Sequence, residues 1–235
     1  VPTETAVGST VDTYSAYYMM YHYYEDVKFQ CLYTAAQMGS AGVISSMSFY
    51  ANNAGAIPLN NANFKLANSS LTTLTAGFVS ATTVWSGTIN VTAAGWVTIN
   101  FDTPFAYTGG SLIAELCFDN STYSSGYPVM KAFLSTNKAR YVRQDNSAGC
   151  NLTGGSNYSY IPIMKCQKAS SVSVASTTWT PSSSLSGSTT LTPTSSATSA
   201  TTYTLNVVDA NGCSASSTVE ANIISVNVDA GTFAA

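Results

Sequence analysis

Alternation of apolar and polar residues is clear in three runs, Val43 to Tyr50, Trp96 to Phe101 and Leu112 to Phe118. A period of two puts every second side chain on one face, so each run predicts a strand with one side in a core. Residues 27 to 166 read as a series of such half-buried strands. The breaks fall at Trp85-Ser86-Gly87, Ala94-Gly95-Trp96, Asp102 to Phe105, Tyr107 to Gly110 and Cys117 to Asn120. Short spacing and Gly, Asn, Pro and Ser punctuation predict hairpins and Greek-key links, not helical crossovers. The one helical turn expected is Thr34 to Met38, which Thr34 can cap and Gly39 can end.

Tyr14 to Tyr24 breaks this rule by placing bulky groups on both faces of any strand. It predicts a Tyr-rich N-terminal strand over 13–24, covered on both sides within the domain or buried by another subunit. Tyr17, Tyr18 and Tyr21 are the interface candidates of that segment. Near residue 166 aromatic residues thin out, and Ser170 to Thr204 is rich in Ser and Thr with Pro181 and Pro193. Alternation persists in Ser171 to Val174, Tyr203 to Val207 and Thr218 to Glu220, with a turn signal at Asp209 to Gly212. The expected organisation is all-β: a sandwich over 1–166, a small sandwich over 167–223, and a linker or added strand over 224–235. At about 55 residues the second core is marginal, so a disulfide or docking to its neighbour is expected to support it.

Composition narrows the function. Apolar residues make up 45% of the chain, enough for a real core, while 8% are charged. Ser and Thr exceed a quarter of the residues, so hydroxyls and amides wet the surface, as in many secreted β proteins. A net charge of −3 with scattered Lys and Arg leaves no basic face for nucleic acid. No apolar stretch is long enough for a membrane span. The start, Val1-Pro2-Thr3-Glu4, lacks a leader's basic and apolar segments, so the numbering is expected to begin after a processed leader or at a domain edge.

Reactive side chains are sparse. His22 sits in a Tyr/Met run without a neighbouring acid, which reads as a packed or interface histidine, and no G-x-S-x-G occurs. No catalytic residue and no cofactor is expected. Asp102, Glu115, Asp119 and Asp145 could pair as glycosidase carboxylates, but Asp102 and Asp119 more simply cap turns. Asp119 and Asn120 are hard oxygen donors for calcium, yet no D-x-D-x-D-G loop exists, so metal is only a weak expectation. Trp85, Tyr123, Tyr127, Tyr158 and Tyr160 lie near Ser- and Asn-rich stretches and are candidate sugar platforms, although such rings mostly close a sandwich. Trp96 and Phe101 are expected in the core. Five N-x-S/T triplets, at Asn68, Asn90, Asn120, Asn151 and Asn157, are what chance supplies in so Asn- and Ser-rich a chain.

The cysteines, Cys31, Cys117, Cys150, Cys166 and Cys213, lack zinc spacing and read as disulfide formers. Cys117 with Cys150 would close a hairpin-like return. A rival pairing joins Cys31 to Cys166, and an odd count leaves one thiol over.

Taken together, Tyr24-Glu25-Asp26, Gln30 to Tyr33, Ala41 to Phe49, Gly95 to Phe101, Thr103-Pro104-Phe105, Tyr107 to Leu112 and Cys117 to Asn120 give Tyr23 to Cys166 its character. This segment resembles a jelly-roll-like β-sandwich domain of large secreted surface proteins of Bacteroidota. Cys166 to Ile223, through Trp179-Thr180-Pro181, Ser184 to Ser186, Thr201 to Thr204 and Asp209 to Cys213, resembles the Ig-like or PKD-like repeat that accompanies such domains, shortened around Val172 to Trp179. The resemblance implies a disulfide between Cys166 and Cys213. It also implies export to the cell surface, commonly by the type IX route, in adhesins and repeat proteins, and it does not imply an enzyme. The expected role is therefore a noncatalytic adhesive or structural module of a cell-surface filament. Its partners would be copies of itself, neighbouring repeats or surface glycans, with strands added at either terminus. A carbohydrate-binding module and an accessory piece of an exported hydrolase are the alternatives.

Overall fold

A computed structural model of the protein describes residues 2–170, 174–209 and 214–223. Two units result, Val1–Ser171 and Val172–Ala235. The strands of the first are β1 (Thr3–Val7), β2 (Tyr14–Ala16), β3 (Asp26–Tyr33), β4 (Gly42–Ala51), β5 (Leu59–Ser69), β6 (Thr82–Ile89), β7 (Gly95–Tyr107), β8 (Ser111–Asp119), β9 (Met130–Gln144), β10 (Ser156–Pro162) and β11 (Met164–Ser170). The unit runs past Cys166 because β11 keeps pairing with β4 as far as Ser170 opposite Gly42. The predicted runs at Val43, Trp96 and Leu112 are β4, β7 and β8.

All pairings are antiparallel. One layer is β1-β11-β4, with β7 on the far side of β4; the other is β9-β3-β8-β5-β6, with β2 and β10 on β9. β4 and β9 meet only at Ala51 opposite Met130, so the strands form an all-β sandwich joined at one point. Phe49 of β4 meets Phe64 of β5 edge to face at 5.7 Å, and Phe64 meets Phe101 of β7 at 5.8 Å, which locks the layers through aromatic contacts. The alternation of β7 turns Val97, Ile99 and Phe101 toward this core and Trp96 outward. Trp96 therefore corrects the expectation of a core residue: it lies half-buried, edge-on to Tyr50 with Lys165 over its ring.

Helix α1 (Ala35–Met38) forms where Thr34 and Gln37 make a reciprocal capping box, and Gly39 ends it at φ 68°. β8 is buried on almost every residue. One face meets the core, while loop 70–81 closes over the other, packing Leu74 on Leu32 and Ile113. Gln30 pins that loop, donating to Val79 O at 2.6 Å and accepting from Val79 N at 2.9 Å. A second loop, which includes a 3-10 turn at Gly149–Asn151, is tied to β8 by the disulfide Cys117–Cys150. Any side chain at 149 would strike Phe118 O, so the close approach there requires glycine.

In the second unit β12 (Val174–Thr180), β15 (Thr201–Asp209) and β16 (Ser214–Ala221) form one sheet, and β13 (Leu185–Ser186) pairs with β14 (Thr194–Ser195). Of its described residues only Thr177 and Tyr203 are buried, a thin core as its size requires. The Tyr203 hydroxyl bonds to Ser184 and Ser195 and so ties the ribbon to the sheet. The turn expected at Asp209 to Gly212 falls largely outside the described residues, as do Cys213 and the segment 224–235.

Two sequence expectations are corrected. The Tyr-rich segment is a strand only at Tyr14–Ala16, paired to β9, and not over 13–24. Beyond it, tight turns send Met19, Met20 and His22 inside and most tyrosines outward, which removes the need to cover both faces of a strand. Cys31 and Cys166 are free buried thiols among the described residues, so the rival Cys31–Cys166 bridge does not form, while the Cys166–Cys213 pairing rests on Cys213, which lies outside the described residues. On β11, Cys166 lies in register with Thr5 and Met47 and belongs to the sandwich core.

Candidate functional site: a tyrosine face around Arg143

The turns after β2 are fixed by backbone bonds from His22 N to Met20 O, Tyr24 N to Tyr21 O and Ser124 N to His22 O. They present Tyr17, Tyr18, Tyr21, Tyr23 and Tyr24 on one side. β9 adds Tyr141 and Arg143, two residues apart and therefore on one face, and β10 adds Tyr158 and Tyr160 by the same rule. The loop after β8 brings Tyr123 and Tyr127.

These rings touch in an unbroken series. Tyr14 meets Tyr160, Tyr160 meets Tyr158, and Tyr158 meets Tyr18, which also stacks on Tyr141. Tyr21 joins Tyr18 to Tyr24 and Tyr127, and Tyr23 joins that group to Tyr123. Ten of the chain's 15 tyrosines are linked in this way. The Arg143 guanidinium stands 4.6 Å from the Tyr24 ring, 5.4 Å from Tyr18 and 5.5 Å from Tyr21. None of the three ion pairs among the described residues includes it. Ring quadrupoles hold this cation in place of a carboxylate.

Tyr123, Tyr14, Tyr17 and Tyr23 remain 61%, 46%, 45% and 43% exposed. The Tyr141 hydroxyl, then burial, raises the Tyr18 pKa; burial raises that of Tyr21; and burial pushes Tyr158 up to about 12. These three phenols stay neutral at physiological pH. The face offers wide aromatic area, hydroxyl donors and one positive charge.

The structure thus gathers Tyr18, Tyr21 and Tyr127 into one surface and places Tyr17 beside them, its N–H donating to the Tyr158 hydroxyl at 3.4 Å. Trp85 is not part of it: on β6 it packs against the core and over Gly87. Tyr141 and Arg143 were not singled out from sequence; their two-residue spacing in Tyr141-Val142-Arg143 is the signal that marks them.

The candidate acids are dispersed. Glu115 is buried against Lys65 at 3.0 Å and Lys28 at 3.9 Å and accepts from Gln30 at 2.6 Å. Asp119 faces Asp26 across β3 and β8, Asp145 accepts from Glu25 N, and Asp102 accepts from Ser86 N. Asn120 is spent on structure, accepting from Asn60 N and donating to Pro58 O. Among the described residues no group of three His, Cys, Asp or Glu could hold a metal ion. His22 is packed away from water, with neither ring nitrogen bonded. No described helix is long and apolar enough to cross a membrane.

No protein family, curated protein or solved structure matches the chain.

Proposed function

We propose that the chain is a noncatalytic adhesive or structural module of an extracellular bacterial fibre or repeat adhesin, which associates through its tyrosine face. The observation that carries this reading is the continuous series of tyrosines around Arg143, in which Tyr14, Tyr23 and Tyr123 are left open to solvent, with exposed Tyr17 beside them. Tyr and Arg are enriched where contact surfaces bind most strongly: the tyrosine ring buries large area at small entropic cost, and the guanidinium adds charge and several directed donors. Low overall charge allows copies or neighbouring repeats to approach without strong repulsion. Among the described residues β1 and β6 end the strand order and pair on one side only, which gives strand addition a second place to act.

Sedimentation velocity over a range of concentrations tests the proposal. The chain is expected to form larger species as concentration rises, and Tyr23→Ser with Tyr123→Ser is expected to remain monomeric. A monomer at every concentration, or assembly unaffected by the double substitution, overturns it.

A further inference from the structure

On another part of the first unit, loop 70–81 and the loop held by Cys117–Cys150 bound a groove of about 430 Å³. Its lining includes Lys28, Phe78, Ser80, Arg140, Thr153 and Gly154. Both walls are fixed before any ligand arrives. Gln30 holds one at Val79, and the disulfide holds the other, where Arg140 also donates to Gly154 O, Gly155 O and Asn157 Oδ1.

Two cations converge on one ring here, Lys28 Nζ at 4.9 Å and the Arg140 guanidinium at 5.6 Å from the centre of Phe78. Lys28 is poorly satisfied: its contacts to Leu152 O, Cys150 O and Glu115 are 3.4, 3.5 and 3.9 Å. A charged donor prefers about 2.7–2.9 Å, so a closer anion would improve on all three. Arg140 uses three of its five N–H groups in these bonds and keeps the others. Lys28 and Lys65 share a single carboxylate, Glu115, and Arg140 belongs to none of the ion pairs among the described residues, which leaves local positive charge on a chain of net charge −3.

We infer that this groove binds a saccharide bearing an anionic group, a carboxylate or a sulfate. Lys28 and Arg140 take the anion, Phe78 supplies an apolar floor, and the Ser80 and Thr153 hydroxyls with the Gly77 and Gly154 backbone meet sugar hydroxyls. The volume lies in the range of small-ligand sites. The groove shares no residue with the tyrosine face, so its test is independent of the association proposed above.

Calorimetry of the whole chain with three trisaccharides tests it: a galacturonate, a sulfated galactose and a neutral galactose. Binding of one or both anionic probes, at least tenfold tighter than the neutral probe and weakened by salt, supports the site and tells carboxylate from sulfate. Backbone resonance shifts are expected at Lys28, Phe78 and Arg140. Lys28→Gln and Phe78→Ala should each lower affinity at least tenfold, with melting temperatures recorded alongside, while Tyr23→Ser leaves it unchanged. No binding, equal binding of the neutral probe, or resonance shifts confined to other residues overturns the inference, and the shift map decides even where a variant fails to fold.

Discussion

Tyr18 lies flat on Tyr141, with ring centres 3.6 Å apart and planes within 6°. This stack joins the turn-rich N-terminal segment to β9, and Arg143 covers its Tyr18 side. Replacing Arg143 with Met keeps the aliphatic stem and removes the charge from three rings. The expected cost is about 1–2 kcal/mol in urea unfolding, as two or three partly exposed cation–π contacts would give. The near-ultraviolet circular dichroism of the tyrosines should weaken with it. Unchanged stability and spectrum would mean that Arg143 does not organise the face.

His22 makes acid the weak side of the fold. Burial lowers its pKa below 6.5, with neither ring nitrogen hydrogen-bonded. The unfolded chain therefore binds the proton first, and stability falls as pH drops from 6.5 through the lower folded value. Asp26 acts in the opposite sense, because burial raises its pKa above 3.8 and its neutral form favours the fold. The difference between wild type and His22→Phe cancels the Asp26 contribution. That difference should shrink steadily below pH 6.5 in favour of the variant, followed by denaturant titration at each pH; a constant difference contradicts the burial argument.

Glu115 is the charge the first sandwich can least lose. Its side chain is 2% exposed, with Lys65 and Lys28 beside it and Gln30 donating to it. Glu115→Ala leaves Lys65 partly buried without a partner and frees the Gln30 amide that also pins loop 70–81. Loss of one partner of a buried pair costs about 3–5 kcal/mol. Denaturant unfolding measures it, and a loss below about 1 kcal/mol would show the cluster to be dispensable.

The sulfur chemistry should separate into two classes. Reduction of Cys117–Cys150, which are 33 residues apart, is expected to cost about 3–4 kcal/mol by loop entropy. Burial pushes the Cys31 thiol up to about 12 and raises that of Cys166. At pH 8 neither thiol should react with iodoacetamide until the chain unfolds. Peptide mapping without reductant checks both points; a Cys31–Cys166 bridge, or rapid labelling in the native state, would contradict them.

Much of this architecture is legible in the sequence because β4 and β7 obey the period of two, and Thr34 and Gly39 mark helix α1; the run at Leu112 is a strand too, but one buried on both faces, because loop 70–81 covers the side away from the core. The disulfide Cys117–Cys150 followed from a segment able to return on itself. The tyrosine segment has the pattern of a strand apolar on both faces because its turns sort side chains inward and outward at irregular spacing. Arg143 was hidden because β9 carries mixed burial along its length and offers no clean alternation. Trp96 shows that an aromatic residue in an alternating run belongs to the core only if its parity matches Ile99 and Phe101. The second unit left little pattern to read beyond its strands, since so few of its residues are buried.

Electron cryo-microscopy of concentrated chain is the most direct test of association through the tyrosine face. Touching copies whose contacts bury Tyr23 and Tyr123 are expected. Isolated particles at high concentration, or contacts that leave both tyrosines bare, would contradict it.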